Sequence, residues 1–69
     1  MRNTIQTKSG NFVYISTCYT PDKGWETMVF ECDKNGEVVN YLDLDAERYD
    51  DVIQAFNGHL DMVDKWKQK

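Results

Sequence analysis

The chain has 69 residues, 41% hydrophobic and 29% charged, with a net charge of −4. This is the profile of one small soluble domain near the lower size limit for independent folding, and it excludes a disordered segment. No apolar run approaches the ~20 residues of a membrane span, and Met1-Arg2-Asn3-Thr4 lacks a signal-peptide apolar region, so a cytoplasmic protein with no membrane contact is expected.

Residues 1 to 10 are polar and read as a flexible arm, or as a short extra strand through Thr4-Ile5-Gln6-Thr7. Phe12 to Tyr19, rich in β-branched and aromatic residues, reads as a strand. Thr20-Pro21-Asp22-Lys23-Gly24 is a turn and Trp25 to Cys32 a second strand. Asp33-Lys34-Asn35-Gly36 signals a hairpin, and Glu37 to Leu44 is the third strand, completing a meander over residues 11–44.

A register follows from the loops. With Pro21 to Gly24 as the first loop, Thr20 faces Trp25 and Ile15 faces Phe30. With Lys34 to Gly36 as the second, Cys32 faces Val38 and Met28 faces Leu42. Directly opposed residues share a face. One face then collects Val13, Ile15, Met28, Phe30, Cys32, Val38, Leu42 and Leu44; the other collects Tyr14, Ser16, Cys18, Trp25, Thr27, Val29, Glu31, Val39 and Tyr41. Cys18 and Cys32 fall on opposite faces, which argues against a disulfide or a shared zinc site.

Residues 51–67 read as a helix. Asp51 is the N-cap, Gln54 completes a capping box, and Lys65, Lys67 and Lys69 suit the negative end of the dipole. At roughly 100° per residue, Val52, Ile53, Ala55, Phe56, His59, Leu60, Val63 and Trp66 share a broad face; Gly58 falls opposite, toward solvent. The expected fold is α+β: a three-stranded antiparallel meander with one C-terminal helix on one face.

His59, the only histidine, lies in the apolar arc, where it reads first as a packed core residue and second as a proton-transfer residue or metal ligand. No matched acid or nucleophile accompanies it, so no catalytic constellation is defined. Asp43, Asp45, Glu47, Asp50 and Asp51 form the densest charge cluster. Alternating acids suit Ca²⁺ or Mg²⁺, but the glycine and terminal glutamate of a calcium-binding loop are missing, so a solvated strand-to-helix connection or an acidic contact patch is the better reading. No cofactor or metal is expected. Residues 22 to 64 carry twelve acids against three bases, a local charge of −9. This argues against direct binding to nucleic acid and for a basic protein partner.

Ile15-Ser16-Thr17, Glu26-Thr27-Met28-Val29-Phe30, Arg48-Tyr49, Ala55 with Gly58-His59, and Met62-Val63 occur in that order. Over roughly residues 13 to 66 the chain resembles a group of small, mostly uncharacterised proteins encoded by bacteriophages and prophages. The resemblance implies phage or mobile-element origin and expression in a bacterial cytoplasm, but no activity and no catalytic residue. The first turn departs from that pattern, which often ends in Asp-His there.

The leading expectation is a non-enzymatic small acidic protein that binds and modulates a host protein, such as a nucleic-acid-handling or defence factor. Its contact surface would comprise Tyr14, Trp25, Val29, Tyr41, Asp43, Asp45, Glu47 and Asp50. A homodimer built on the aromatic face or an open strand edge is the alternative, and a small-ligand binder using His59 the third.

Overall fold

In the computed structural model, which describes Met1–Lys69, the chain forms β1 (Arg2–Gln6), β2 (Phe12–Thr20), β3 (Gly24–Cys32), β4 (Val38–Tyr49) and α1 (Val52–Lys67). The class is α+β with an antiparallel sheet and one C-terminal helix. The sheet has four strands rather than three, in the order β1-β2-β3-β4. The addition is the N-terminal segment: Arg2 to Gln6 lie opposite Ser16 to Phe12. Burial of Ile5, 8% exposed, and the backbone groups offered by the edge of β2 favour pairing over a free arm.

The first hairpin is one residue out from the sequence register. Thr20 pairs with Gly24, not Trp25. Gly24 sits at φ 74°, a left-handed conformation that glycine adopts without steric cost, so it begins β3 and leaves Pro21 to Lys23 as the loop. A one-residue slip inverts the faces of a strand. Thr27 and Val29 therefore point at the helix, both fully buried, and Met28 and Phe30 turn to the open face. Val29 belongs to the core rather than to an exposed surface. The observed pairing sets Ile15 opposite Val29 and Thr17 opposite Thr27, so two β-branched apolar residues and two mutually bonding hydroxyls line the inner face.

At the second hairpin Cys32 does lie opposite Val38. Asp33 N–H donates to Glu37 O at 2.9 Å, and Gly36, at φ 85°, donates its N–H to Asp33 O at 3.0 Å. Past this loop the ladder is irregular: Glu31 pairs with Asn40 and Val29 with Asp45. The exposed residues Tyr41 to Leu44 thus stand against the single residue Phe30. Met28 faces Ala46, not Leu42. The insertion bends the strand, which continues to Tyr49, so Asp43 to Glu47 is edge strand rather than a connection.

Asp51 caps α1, its carboxylate accepting from Gln54 N–H at 2.8 Å. At the far end Lys67 O accepts from Lys8 N–H at 3.0 Å, tying the helix to the β1–β2 turn. The helix is rotated about its axis from the expected orientation: Ala55, His59, Met62 and Val63 are buried, while Val52, Ile53, Phe56 and Leu60 are exposed. The core is Ile5, Val13, Ile15, Val29, Met62 and Val63, with Trp66 packed against it. No helix is long and apolar enough to cross a membrane.

Candidate functional site

The rotation of α1 has a polar cause. His59 is fully buried and both ring nitrogens are engaged. Its Nδ1 lies 2.6 Å from Thr17 Oγ1 on β2, and its Nε2 lies 2.6 Å from Asn3 Oδ1 on β1. Thr17 Oγ1 is 2.5 Å from Thr27 Oγ1 on β3, and the Tyr49 hydroxyl at the end of β4 donates to Thr27 Oγ1 at 3.0 Å. The chain Tyr49–Thr27–Thr17–His59–Asn3 joins all four strands to the helix.

One direction of donation satisfies every member. Tyr49 O–H donates to Thr27, Thr27 to Thr17, Thr17 to His59 Nδ1, and His59 Nε2–H to the Asn3 carbonyl oxygen. This requires a neutral imidazole protonated on Nε2. Burial, and secondarily the Met1 ammonium group, hold the His59 pKa below its ordinary value. The Tyr49 phenol is pushed up by burial, reinforced by nearby carboxylates including Glu47 and Asp61 and opposed by its bond to Thr27. Both shifts favour the neutral forms that the chain requires. Neither surface groove of the molecule is lined by any member of it. The arrangement fits a buried clamp that fixes the helix on the sheet.

Gly58 belongs to the same assembly. A Cβ there would overlap the edge of the Tyr49 ring. Gly58 therefore faces Tyr49, not solvent, and its missing side chain is the space the ring occupies. His59 and Gly58 face the sheet together, which leaves the adjoining flank of the helix uncovered.

The predicted contact residues separate. Val29 is core. Trp25 pairs with Tyr49 across the β3–β4 ladder and packs edge-on to Tyr19 at 5.5 Å. Asp45 turns to the helix, where its Oδ2 accepts from Lys65 Nζ at 2.7 Å and Trp66 Nε1 at 3.1 Å. Burial raises the Asp45 pKa, but the bonds from Lys65 and Trp66 outweigh it and hold the carboxyl below its ordinary value. Asp50 stands exposed just before the helix. Tyr14 and Tyr41 do come together, and with them Phe30, which the loop-based register assigns to the inner face. Phe30 and Tyr41 pack at 5.8 Å, and with Tyr14, Gly36, Glu37 and Val38 they line a groove of about 420 Å³ on the open face of the sheet. Beside it Tyr41 and Leu42 are 77% and 76% exposed, and Asp43 and Glu47 are exposed on the same edge strand. Asn3, Thr17, Thr27 and Tyr49 were missed as a constellation. The sequence signal was the row of threonines in apolar strands, whose shared face depends on the first-hairpin register.

Of the two cysteines, Cys18 is exposed and Cys32 buried, and both are free. Burial first, and Asp33 second, push the Cys32 thiol up, a setting that disfavours the reactive thiolate. Comparison with family models, with curated proteins and with solved structures finds no match.

Proposed function

We propose that this chain is a non-enzymatic protein-binding module whose contact surface is the bulged part of β4 and the aromatic groove beside it. The observation that carries the reading is the exposure of Tyr41 and Leu42, more than three-quarters each, at the insertion that disrupts the β3–β4 ladder. Large apolar side chains on an edge strand, next to an aromatic groove, suit hot-spot contacts with a partner. Asp43 adjoins them and favours a basic partner, chiefly through association rate and specificity; Glu47, paired with the helix-facing Thr27, lies on the other side of the sheet. Asp45, bonded to Lys65 and Trp66, serves the fold instead. Sequestration of the only histidine within the clamp supports binding over catalysis.

The resemblance to phage and prophage proteins extends the proposal to a class of partner: a basic bacterial protein, such as a nucleic-acid-handling or defence factor, whose anion-binding surface the acids of β4 would occupy. Affinity capture from bacterial lysate, comparing the wild-type chain with a Tyr41→Asp/Leu42→Asp variant, tests this. A partner retained by the first and lost by the second is expected. Equal retention by both rejects the surface. Reversing Asp43 to Lys should weaken binding to the captured partner and reduce its salt dependence.

A further inference from the structure

The aromatic groove on the open face of the sheet has a chemistry more specific than apolar contact. Tyr14 on β2 lies directly opposite Phe30 on β3, and Phe30 packs against Tyr41 of β4 at 5.8 Å between ring centroids. With neighbouring strands ~4.8 Å apart, the three rings form a row about 10 Å long that runs across the strands. The β3–β4 loop walls one side. A Cβ on Gly36 would meet the side chain of Thr4 on β1, so the loop leans over the open face and the groove is formed before a partner arrives. Hydroxyl bonds between strands are confined to the inner face, at Thr17, Thr27 and Tyr49. The hydroxyls of Tyr14, Ser16 and Tyr41, which line the groove, have no partner within the molecule. The Glu37 carboxylate on the loop side is also unpaired, since the ion pairs are Arg48 with Glu26 and Lys65 with Asp45.

These features discriminate among occupants. The floor of the groove is the face of a paired sheet, so it offers no backbone edge for strand addition. An ordinary extended segment laid across the rings would bury amide N–H groups against apolar carbon, at a cost for each one left unbonded. Proline has no N–H. A proline-rich segment takes the polyproline II form, whose backbone makes no internal hydrogen bonds and leaves its carbonyls free to accept. One turn of that helix, three residues and ~9 Å long, matches the row of rings, and the free hydroxyls are the donors its carbonyls lack. We infer that the Tyr14–Phe30–Tyr41 groove binds a proline-rich segment of the partner in the polyproline II conformation, with an Arg or Lys at its Glu37 end. This rests on the binding-module reading and names the element that the module recognises. A segment already rigid loses little entropy on docking, so a short groove suffices, with a Kd on the order of 100 μM.

Amide chemical-shift titration of the labelled chain tests the inference with three synthetic peptides of equal length: an oligoproline led by arginine, an oligoproline without it, and an arginine followed by alternating threonine and valine. Saturable shifts at Tyr14, Ser16, Phe30 and Tyr41 are expected with the prolines, and binding of the threonine–valine peptide at least about tenfold weaker. Tyr41→Ala should weaken the proline peptides at least about tenfold with the fold retained, since the side chain is 77% exposed. Tyr14→Phe and Tyr41→Phe, each removing one donor, should cost about two- to tenfold. Glu37→Lys should weaken only the peptide that carries arginine. Absence of saturable shifts with the prolines at about 5 mM overturns the inference. So does equal binding of the threonine–valine peptide, or binding that Tyr41→Ala leaves unchanged. A captured partner lost in the Tyr41→Asp/Leu42→Asp variant but bearing no proline-rich stretch removes this inference and leaves the module reading intact, whereas equal capture by both chains removes the module reading.

Discussion

Gly58 and Tyr49 show how one missing methyl group fixes the seating of a helix. Glycine inside a helix costs about 1 kcal/mol relative to alanine, and an exposed glycine here would be improved by Gly58→Ala. The position is not exposed. The added Cβ would meet the Tyr49 ring, and that ring is held by the bond from its hydroxyl to Thr27. Moving it disturbs the hydroxyl chain that ends on His59. Gly58→Ala should therefore destabilise the wild-type protein by about 1–3 kcal/mol. In a Tyr49→Ala background, the same change should become neutral or stabilising by up to about 1 kcal/mol. Denaturant unfolding of the four variants measures this; additive effects would show that the two residues do not meet.

At the scale of elements, the helix is held at both termini and along one face. The Asp51 carboxylate satisfies Gln54 N–H, and Gln54 Oε1 accepts from Asp50 N–H at 3.2 Å. Asp51→Ala should cost about 1 kcal/mol, read as a lowered midpoint in denaturant with an unchanged slope. The Asp51 cap was legible because Asp51 and Gln54 lie three residues apart; the return bond from Gln54 reaches Asp50 N–H rather than the N-cap N–H that a capping box uses. Legible too were the inner positions of β2 and the pairing of Cys32 with Val38, each set by local alternation or by a loop with its own turn residues. The face of β3 was not. It hinges on whether Gly24 closes a loop or begins a strand, and that choice is decided by Thr27 meeting Thr17 and by Val29 meeting Ile15 under a helix whose contacts lie far along the chain. The helix face was half legible for the same reason: Ala55, His59 and Val63 are buried, while Val52, Ile53, Phe56 and Leu60 are exposed. Its apolar arc is broader than the sheet can cover, and Asn3 and Tyr49, distant in sequence, select the part that is buried. The acidic stretch of β4 likewise reads as a connection until the insertion at Tyr41 to Leu44 is seen to leave Asp45 opposite Val29.

For the whole molecule, the clamp makes stability depend on pH in a definite direction. In the unfolded chain His59 titrates near its ordinary value of 6.5. In the folded chain burial, with the Met1 ammonium adding to it, lowers that value. Between the two the unfolded state binds more protons, so the contribution is complete above about 6.5 and is lost as pH falls below it, by at most about 1.4 kcal/mol per pH unit. Asp45 adds a separate acid sensitivity, but only once pH falls below its ordinary 3.8. Chemical denaturation at about pH 7.5 and about pH 5.5 should show the loss in wild type and little of it in His59→Gln. An equal loss in both would place the sensitivity elsewhere.

The same molecule separates a sealed polar interior from two exposed apolar surfaces, the flank of α1 and the bulge of β4, and the proposed function rests on the second. Amide chemical-shift mapping of the labelled chain with its captured protein partner tests that claim most directly. The largest shifts are expected at Tyr14, Phe30 and Tyr41 to Leu44, with His59 and Thr17 little changed. Shifts centred on Val52 to Leu60 with β4 unmoved would contradict it.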